Sequence, residues 1–420
     1  MIFLLRAEDA MTSVALDSAK KILKKLHNAG YQAYFVGGCV RDMLLGKQAE
    51  EIDIATNAPP VIVSTIFPDT LSIGAAFGII VVKDSGHLFE VATFRNDGGY
   101  ADGRHPEKIS FSSMKEDAVR RDFTINGMYY DPFTEKLFDL VEGRRDLEKG
   151  IVRAIGHPKL RFAEDKLRIL RGIRFAASLG FSLDPATERA IIKEAPTLTN
   201  SVSPERIWQE LRKMIQKNPF DSLSLLLKLK VINTVFPELR GIPYGILRSS
   251  IEFAKKLNPH NLPEILFFLP LFQGISEEEA CAAFTRLRVA NKDLKLVQAW
   301  YAALPEFQNV NNNYVFWAHF LASPTAHLCL SLFSAIQKDI SRQQNFISRV
   351  QQLEARLEKF ILRIKTSSPL ISAADLIAKG IAPGRLLGDL LREAEILSIE
   401  HECHDKEKIL SLLKEKGFWK

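Results

Sequence analysis

Apolar and polar residues alternate in two different ways along the 420 residues of this chain. Up to about residue 150, short apolar runs alternate with glycine-containing turns, a pattern typical of strands and short helices. From about residue 151 the apolar residues recur at helical spacing, with breaks at prolines such as Pro196, Pro259 and Pro324. The chain is therefore predicted to be an α+β protein, with a small α/β unit followed by a long all-α portion.

The local pattern predicts a definite succession of elements. Apolar residues at helical spacing over residues 13–29 predict an amphipathic helix that ends at Gly30. The further predictions are a strand at residues 34–36, a helix at 40–45, a strand at 51–55, a hairpin of residues 78–83 and 87–94 around Asp84-Ser85-Gly86, and a mobile loop at 96–106. Much later, Ser203-Pro204-Glu205-Arg206 predicts the start of a helix and no catalytic role.

Composition excludes some classes of protein and leaves others open. With 56 Lys and Arg against 50 Asp and Glu, the net charge of +6 allows a polyanionic partner without requiring one. The four cysteines, Cys39, Cys281, Cys329 and Cys403, form neither a disulfide pattern nor a zinc motif, which fits a reducing compartment. No apolar run is long enough to span a membrane. We therefore expect a cytoplasmic protein with no membrane partner.

The most informative motif is Gly37-Gly38-x-x-Arg41, followed by the acidic residues Glu51 and Asp53. Glycines between a strand and a helix let backbone N–H groups approach a phosphate, and Arg41 in the first helical turn can bind the same phosphate. Residues i and i+2 of a strand face the same side, so two carboxylates can bind a hard cation, typically Mg²⁺. The pattern predicts nucleotidyl transfer, in which an α-phosphate is attacked and pyrophosphate leaves.

Two further motifs add candidate residues to this site. Glu90 is a third carboxylate, because residues 89–94 predict a strand that can lie beside the first, although a non-catalytic edge carboxylate is equally plausible. Arg121 can bind a phosphate, and Asp122 and Asn126, one predicted helical turn apart, can reach a ribose or orient an arginine. A surface ion-pair cluster is the alternative interpretation of this second motif.

Residues 164–174 predict one helix that carries a stripe of charges. Asp165 and Arg168 share a face at i and i+3, and Arg171 and Arg174 extend it. A carboxylate can accept from the exocyclic amine of cytosine or adenine while a guanidinium donates to the neighbouring acceptor, whereas uracil and guanine present a carbonyl to the carboxylate. The pair therefore predicts selection of C and A without a template, although a salt-bridged helix face is the usual meaning of such spacing.

Taken in order, seven motifs resemble class II tRNA nucleotidyltransferases, which include CCA-adding enzymes and bacterial poly(A) polymerases: GGCVRDMLLG, EIDIAT, FEVATF, RRDFTIN, GRRDLEKG, EDKLRILRGIRF and SPERI. The resemblance covers residues 34–211. It implies a polymerase-β-like head at residues 1–150, a neck at 151–215, a body at 216–315 and a tail at 316–420. It also implies CTP and ATP as substrates, and a tRNA held through its phosphates by the body and tail.

The resemblance also assigns roles by motif. Glu51 and Asp53 match the metal-binding pair, and Asp139, near Gly143 and Asp146, matches an element thought to reorient the head between C and A addition. The matched nucleotide-binding residues are Gly37, Gly38 and Arg41 for the triphosphate, Arg121, Asp122 and Asn126 for the ribose, and Asp165 and Arg168 for the base. The chain departs from the common pattern at Glu51, His105 and Gly127, where the family often has Asp, Arg and Ala.

Several alternatives stay open within and beyond this family. An intact loop, with Arg95, Asp97, Tyr100, Asp102 and Arg104, favours complete CCA addition over CC addition alone. An A-adding enzyme of a split system and a poly(A) polymerase remain possible, although residues 74–78 lack the basic cluster expected of the latter. A catalytically silent RNA-binding protein is disfavoured by the retained carboxylates, and a fused phosphohydrolase by the isolation of His404-Asp405. No oligomeric state follows from the sequence.

Overall fold

The computed structural model describes residues 13–49, 51–72, 77–100, 106–308 and 313–417. The chain divides into two compact units, Met1–Tyr244 and Gly245–Lys420. The first unit holds the strands and a set of short helices, and the regular elements among the described residues of the second are all helices. The predicted α+β class is confirmed, while the domain boundaries expected near residues 150, 215 and 315 stay predictions.

A mixed seven-stranded sheet is the centre of the first unit, with the strand order β3-β4-β5-β2-β1-β8-β9. Two smaller sheets, β6–β7 and β10–β11, have two strands each. The strands are β1 Ala33–Val36, β2 Asp53–Thr56, β3 Thr70–Leu71, β4 Ile79–Asp84, β5 His87–Thr93, β6 Arg95–Tyr100, β7 Pro106–Phe111, β8 Met128–Asp131, β9 Lys136–Asp139, β10 Ile151–Val152 and β11 Ser182–Leu183.

Helices of the first unit begin mostly at residues that favour a helix start. Ser113 and Glu116 form a reciprocal capping box, and several other helices have proline in their first turn. The helices are α1 Ser13–Asn28, α2 Gly38–Leu44, α3 Pro60–Ile66, α4 Met114–Arg120, α5 Gly143–Glu148, α6 Pro158–Glu164, α7 Leu167–Leu179, α8 Pro185–Glu194, α9 Leu198–Ser201, α10 Pro204–Lys217, α11 Pro219–Lys228 and α12 Ile232–Val235.

The central strand β2 pairs with β1 in an antiparallel and with β5 in a parallel arrangement. Ile54 and Val91 are partners across β2 and β5, and both are fully buried. Asp53 and Glu90 each precede these partners by one residue, so they lie side by side where β2 begins, in the middle of β5. The predicted neighbourhood of the two strands is thus confirmed.

The expectation that Glu51 lies on this strand was wrong. The pairing of β1 with β2 ends at the partners Val36 and Asp53, because the chain turns away at Gly37, which has a φ of 79°. Glu51 therefore precedes the strand by two residues and its side chain is exposed. Its separation from Asp53 along the chain does not place both side chains on one strand face.

The predicted hairpin is confirmed, whereas the predicted loop is partly a second hairpin. Strands β4 and β5 are joined by Ser85 and Gly86, whose φ angles of 50° and 79° fit a two-residue turn. Strands β6 and β7 pair from Arg95 and Phe111 to Tyr100 and Pro106, where a loop was expected from the Gly and Asp content. Here pairing between strands outweighs local propensity. Asp102, Arg104 and His105 lie outside the described residues, as do residues 74–76.

The second unit packs helices around aromatic side chains. Phe307 is a hub, with its ring centroid 4.9 Å from that of Phe333, 5.4 Å from that of Phe346 and 5.8 Å from that of Trp317. The helices are α13 Tyr244–Ser250, which begins at the boundary, α14 Glu277–Arg286, α15 Asn291–Gln308, α16 Tyr314–Ala322, α17 Ala326–Ile336, α18 Ile340–Thr366, α19 Ala373–Ala378, α20 Arg385–Glu400 and α21 Lys406–Glu415.

Two whole-chain properties complete the fold. No single helix of the described residues is long and apolar enough to cross a membrane; α16 and α17, bent by 111°, meet that test only as a pair, by length and composition. All four cysteines are free: Cys39, Cys329 and Cys403 are buried, and Cys281 is partly exposed.

Candidate active site

The site begins where β1 turns into α2. Gly37 makes this turn with a left-handed backbone, and a Cβ atom built there would lie 3.5 Å from Asp53 Oδ2 and 3.7 Å from Arg121 Nη1. The absence of a side chain at Gly37 thus leaves room for a ligand against the carboxylate and the guanidinium. Gly38 begins α2, as the predicted phosphate-binding turn requires.

Two further carboxylates, those of Glu90 and Glu51, lie near Asp53. Burial, with smaller contributions from Glu90 and Glu51, raises the pKa of the Asp53 carboxyl to about 6, while Arg121 opposes the shift. A divalent cation would relieve this repulsion, and oxygen donors are the ligands that a hard cation prefers. The residues therefore fit a metal. In the described part of the chain, however, no three Asp, Glu, His or Cys side chains converge on one point that could hold a metal ion, so Glu90 is a neighbour of Asp53 rather than a demonstrated ligand.

Arg121 is held from behind by a buried carboxylate that sequence reasoning missed. Asp117 accepts from Arg120 at 2.7 Å, from Arg121 at 3.0 Å and from the Tyr129 hydroxyl at 2.6 Å. Burial tends to raise the pKa of Asp117, but Arg121 and Arg120 outweigh it and hold the pKa at about 2. The carboxylate is therefore charged at neutral pH and fixes Arg121 near Asp53.

A hydrogen-bond chain joins Arg41 to the ribose motif. The Arg41 guanidinium donates to Asp42 at 2.8 and 2.9 Å and to Asn126 Oδ1 at 2.8 Å. Asn126 Nδ2 donates to Asp122 Oδ1 at 3.3 Å, and Arg171 donates to Asp122 Oδ2 at 2.7 Å. The structure thus brings Arg41, Asp122, Asn126 and Arg171 together, as a site around one nucleotide requires.

The expected helical relation of Asp122 and Asn126 was wrong, although the two residues do meet. Helix α4 ends at Arg120 and Arg121 is extended, so Asp122 lies outside any helix. Residues Thr124–Asn126 form a 3₁₀ turn instead, which returns Asn126 to the Asp122 carboxylate. The predicted contact is therefore made by a tighter turn.

Arg174, the last arginine of the stripe, is paired with a residue of a different helix. Its Nε donates to Glu210 Oε2 at 2.7 Å, and Glu210 on α10 is 4% exposed. Burial lowers the pKa of Arg174, and the Arg171 charge adds to that effect, while Glu210 opposes it. The SPERI helix α10 thus contributes a buried counter-charge to the site.

The predicted pair Asp165 and Arg168 does not share one helix face. Asp165 lies between α6 and α7, where its carboxylate accepts from the Leu167 backbone N–H at 2.9 Å and thereby starts a new helix. Arg206 of α10 donates to Asp165 at 2.9 Å, and Arg168 donates to Glu164 at 2.5 Å and to the Arg120 carbonyl at 3.1 Å. Each side chain has its own partner rather than the other.

A cleft of about 590 Å³ opens beside these groups, and its lining includes Arg120, Arg161 and Glu164. Like Asp117, the supporting residues Arg206, Glu164 and Glu210 were missed by sequence reasoning. Arg206 and Glu210 are four residues apart in one helix, a spacing that places both on the same face and was the available signal.

The element expected to reorient the head is tightly built. Asp139 accepts from the backbone N–H groups of Gly143 at 2.8 Å and Arg144 at 2.9 Å, and so caps the start of α5. A Cβ atom at Gly143 would lie 2.2 Å from the Thr124 carbonyl oxygen, so only glycine fits. Buried Asp146 accepts from Thr124 at 2.7 Å and Arg153 at 2.9 Å. Its hinge role stays a prediction.

In the second unit, the surroundings of His404 and Cys403 do not resemble a metal site. The His404 ring stacks on Phe360 with 4.5 Å between ring centroids, and Cys403 is buried. No phosphohydrolase-type metal cluster occurs among the residues that the structure describes. Phosphate contacts by Arg286, Arg288, Lys292 and Lys295, or by the turn at residues 380–384, stay predictions.

The central sheet, the glycine turn beside Asp53 and the arginine cluster define a nucleotidyltransferase. Residues 33–153 match the family model described as the poly A polymerase head domain, and residues 180–242 match that described as a probable RNA and SrmB-binding site of polymerase A. A CCA-adding enzyme of Limosilactobacillus reuteri (strain DSM 20016) is 43% identical over 401 residues, 94% of this chain and 95% of the relative. The chain belongs to the family of CCA-adding enzymes.

Other relatives and solved structures are similar to this chain over a shorter length or at lower sequence identity. A CCA-adding enzyme of Geobacillus stearothermophilus is 43% identical over 222 residues, 52% of this chain and 54% of the relative, so this match spans about half of that protein. The crystal structure of the Bacillus stearothermophilus CCA-adding enzyme in complex with CTP has a TM-score of 0.76 at 29% identity, covering 96% of this chain and 98% of that one. A Thermotoga maritima CCA-adding enzyme complexed with tRNA shares the fold, with a TM-score of 0.67 at 20% identity and coverage of 98% and 97%.

Proposed function

We propose that this protein adds C, C and A to the 3′ end of tRNA, without a template, from CTP and ATP and with release of pyrophosphate. The observation that carries the proposal is the position of Asp53: beside Glu90 on the parallel strand, close to the Gly37 turn, and within the field of Arg121. A full-length relative named as a CCA-adding enzyme supports the same activity.

The side chains divide the work as follows. Arg41, Arg121 and Arg171 bind the triphosphate, and Asp42, Asp117 and Asp122 are the carboxylates that hold these arginines before the nucleotide arrives. Asn126 and Asp122 orient the ribose. Asp165 and Arg168 select the base. For this, Asp165 must release Arg206 and accept from the exocyclic amine of the base. Arg168 must release a protein acceptor such as Glu164 and donate to the base instead.

Nucleotidyltransferases of this family depend on a divalent metal ion, and we propose Mg²⁺ for this one, held by Glu51 and Asp53. When bound, such a cation lowers the pKa of the attacking 3′-hydroxyl and neutralises the departing pyrophosphate. Glutamate at position 51 keeps the charge of the more common aspartate and reaches further by one methylene. We also propose a cytoplasmic location, on the four free cysteines.

The test is extension at single-nucleotide resolution of three labelled tRNAs that end at the discriminator base, at C and at CC. Each receives CTP, ATP or both, with Mg²⁺, Mn²⁺ or Ca²⁺. We expect C, C and A to be added in that order with Mg²⁺, and addition to stop there. Addition of A alone to the CC end would identify an A-adding enzyme, and a long A ladder a poly(A) polymerase.

Two variants show whether the extension comes from this site. Glu51→Ala and Asp53→Asn should each abolish addition while tRNA binding persists. Turnover retained by Glu51→Ala would remove Glu51 from the metal site. Binding of tRNA without any extension by the natural sequence would identify a catalytically silent RNA-binding protein.

A further inference from the structure

One aromatic ring in the site is shared by three guanidinium groups. Phe175 on α7 is 5% exposed, and the guanidinium carbon of Arg174 lies 4.4 Å from its ring centroid. The corresponding distances for Arg41 and Arg171 are both 5.3 Å. All three distances lie within the range of a cation–π interaction, which occurs about once in every 70–80 residues. Three cation–π contacts on one ring are therefore unusual and need a physical explanation.

The ring is fixed by its neighbours. Phe123, next to Asp122, meets Phe175 edge to face, with 5.7 Å between the centroids and an angle of 78°. A Cβ atom at Gly172 would lie 2.9 Å from Phe123 Cζ, so the glycine lets Phe123 approach α7 closely. Phe175 is thus a rigid support on α7 that also contacts Arg41 of α2.

Each of the three arginines also has one carboxylate partner. Arg41 is paired with Asp42 at 2.8 Å, Arg171 with Asp122 at 2.7 Å and Arg174 with Glu210 at 2.7 Å. The three cations repel one another, and the carboxylates balance their charge. A nucleoside triphosphate brings its own negative oxygens and competes with Asp42 and Asp122 for the N–H donors of Arg41 and Arg171.

An aromatic ring does not compete in this way, because its face attracts a cation without accepting the in-plane N–H groups that a phosphate binds. We propose that Phe175 is a positioning residue that keeps Arg41, Arg171 and Arg174 in place while nucleotide phosphates replace the carboxylate partners of Arg41 and Arg171. The inference rests on the proposed function, since the ligand is the nucleoside triphosphate of that reaction. It predicts that the affinity for CTP and ATP depends on the electron density of this one ring.

The test replaces Phe175 in the full chain by mono-, di- and trifluorophenylalanine, which weaken the negative face of the ring with little change in its size. The CTP dissociation constant is measured by calorimetry, and kcat and KM are measured for nucleotide addition. We expect the dissociation constant and KM to rise with each fluorine, to about tenfold for the trifluoro ring, while kcat changes by less than about twofold. The melting temperature monitors folding.

Phe162 supplies the matched control, because it is fully buried on α6 and no guanidinium of the described residues faces its ring. The same series at Phe162 should leave CTP binding unchanged. Binding that is independent of fluorination at Phe175, or that falls equally at both positions, would overturn the inference. A natural sequence that binds CTP but extends no tRNA would overturn the proposed function alone, while the binding series would still decide the role of Phe175. Absence of CTP and ATP binding would overturn both.

Discussion

The two units of this chain bury different kinds of side chain. Every buried acidic or basic residue of the described chain lies in the first unit, including Arg41, Asp117, Arg168 and Glu210. Among the described residues of the second unit, Ser398 is the single buried polar or charged residue. Aromatic rings such as those of Phe307 and Trp317 fill the core there. Burying a charge costs free energy unless a partner compensates it, whereas burying a ring is favourable by itself.

This difference separates the parts of the chain that serve chemistry from those that serve packing. The ion pairs of the first unit hold arginines in fixed positions at some cost in stability, as a preorganised anion site requires. The second unit does not have to hold buried charges in place, and its helices pack through complementary apolar side chains. Changes of buried charge should therefore affect activity in the first unit, and changes of buried rings should affect stability alone in the second.

The largest effect is expected for Asp53→Asn. Nucleotide addition should fall by about 10³-fold or more, because the carboxylate that is proposed to hold the metal is lost. The free energy of unfolding should stay equal or rise, since burial already raises the pKa of Asp53 to about 6 and disfavours its charged form. Rates come from single-turnover extension, and stability from urea unfolding.

Asp375→Asn in the second unit is the matched control. Hydrogen bonds from Lys406 and Ser372 hold the pKa of this partly buried carboxyl at about 2, so its removal should lower stability and leave addition unchanged. An Asp53→Asn variant that is both inactive and strongly destabilised would contradict the division between chemistry and packing.

Removing a buried counter-charge comes next. Glu210→Gln leaves the Arg174 guanidinium without its partner at 2.7 Å, and should destabilise the first unit by about 3–5 kcal/mol and weaken CTP binding. In the second unit, Glu402→Gln breaks the exposed pair with Arg356 and should have little effect on either quantity. Equal losses of stability in the two variants would show that burial does not decide the strength of these pairs.

The aromatic hub gives the converse test. Phe307→Leu should lower the free energy of unfolding by about 2–3 kcal/mol, because its ring contacts with Phe333, Phe346 and Trp317 are lost. CTP binding by the first unit should not change, as calorimetry can show. A rise in the CTP dissociation constant would mean that packing in the second unit does influence the site.

A smaller effect is expected for acid stability. The pKa of Asp117 is about 2 in the folded protein against an ordinary value of 3.8, so the unfolded chain binds the proton first as the pH falls. Asp117 therefore stabilises the fold above pH 4, and that contribution of about 2 kcal/mol disappears between pH 4 and pH 2. Asp117→Asn should flatten the stability profile over this interval in urea unfolding. A profile as steep as that of the natural sequence would contradict the assignment.

The sequence predicted best what depends on near neighbours. The helix expected at residues 13–29 is Ser13–Asn28, and the hairpin around Ser85 and Gly86 is present. The errors arose where a distant partner decides. Glu51 lies outside the strand because β1 ends opposite Asp53, and the expected loop pairs as β6 and β7. Local propensity does not contain this information.

The same limit applies to the site. Motif order indicated Asp53, Arg41, Arg171 and Asp122, but not Asp117 and Glu210, the carboxylates that hold Arg121 and Arg174. Arg174 meets Glu210 across 36 residues, Arg206 meets Asp165 across 41 and Arg41 meets Asn126 across 85. These contacts depend on how α7, α10 and the sheet pack, so a single sequence offers no spacing rule for them.

The different burial of the cysteines has a practical consequence for labelling the protein. Burial raises the pKa of the Cys39 thiol to about 12 and likewise that of Cys329, which protects both from maleimide reagents. Cys281 on α14 is the partly exposed thiol, and burial and neighbouring Glu277 and Glu278 raise its pKa as well. Labelling at mildly alkaline pH should therefore place one dye on α14 of the natural sequence without any engineered residue.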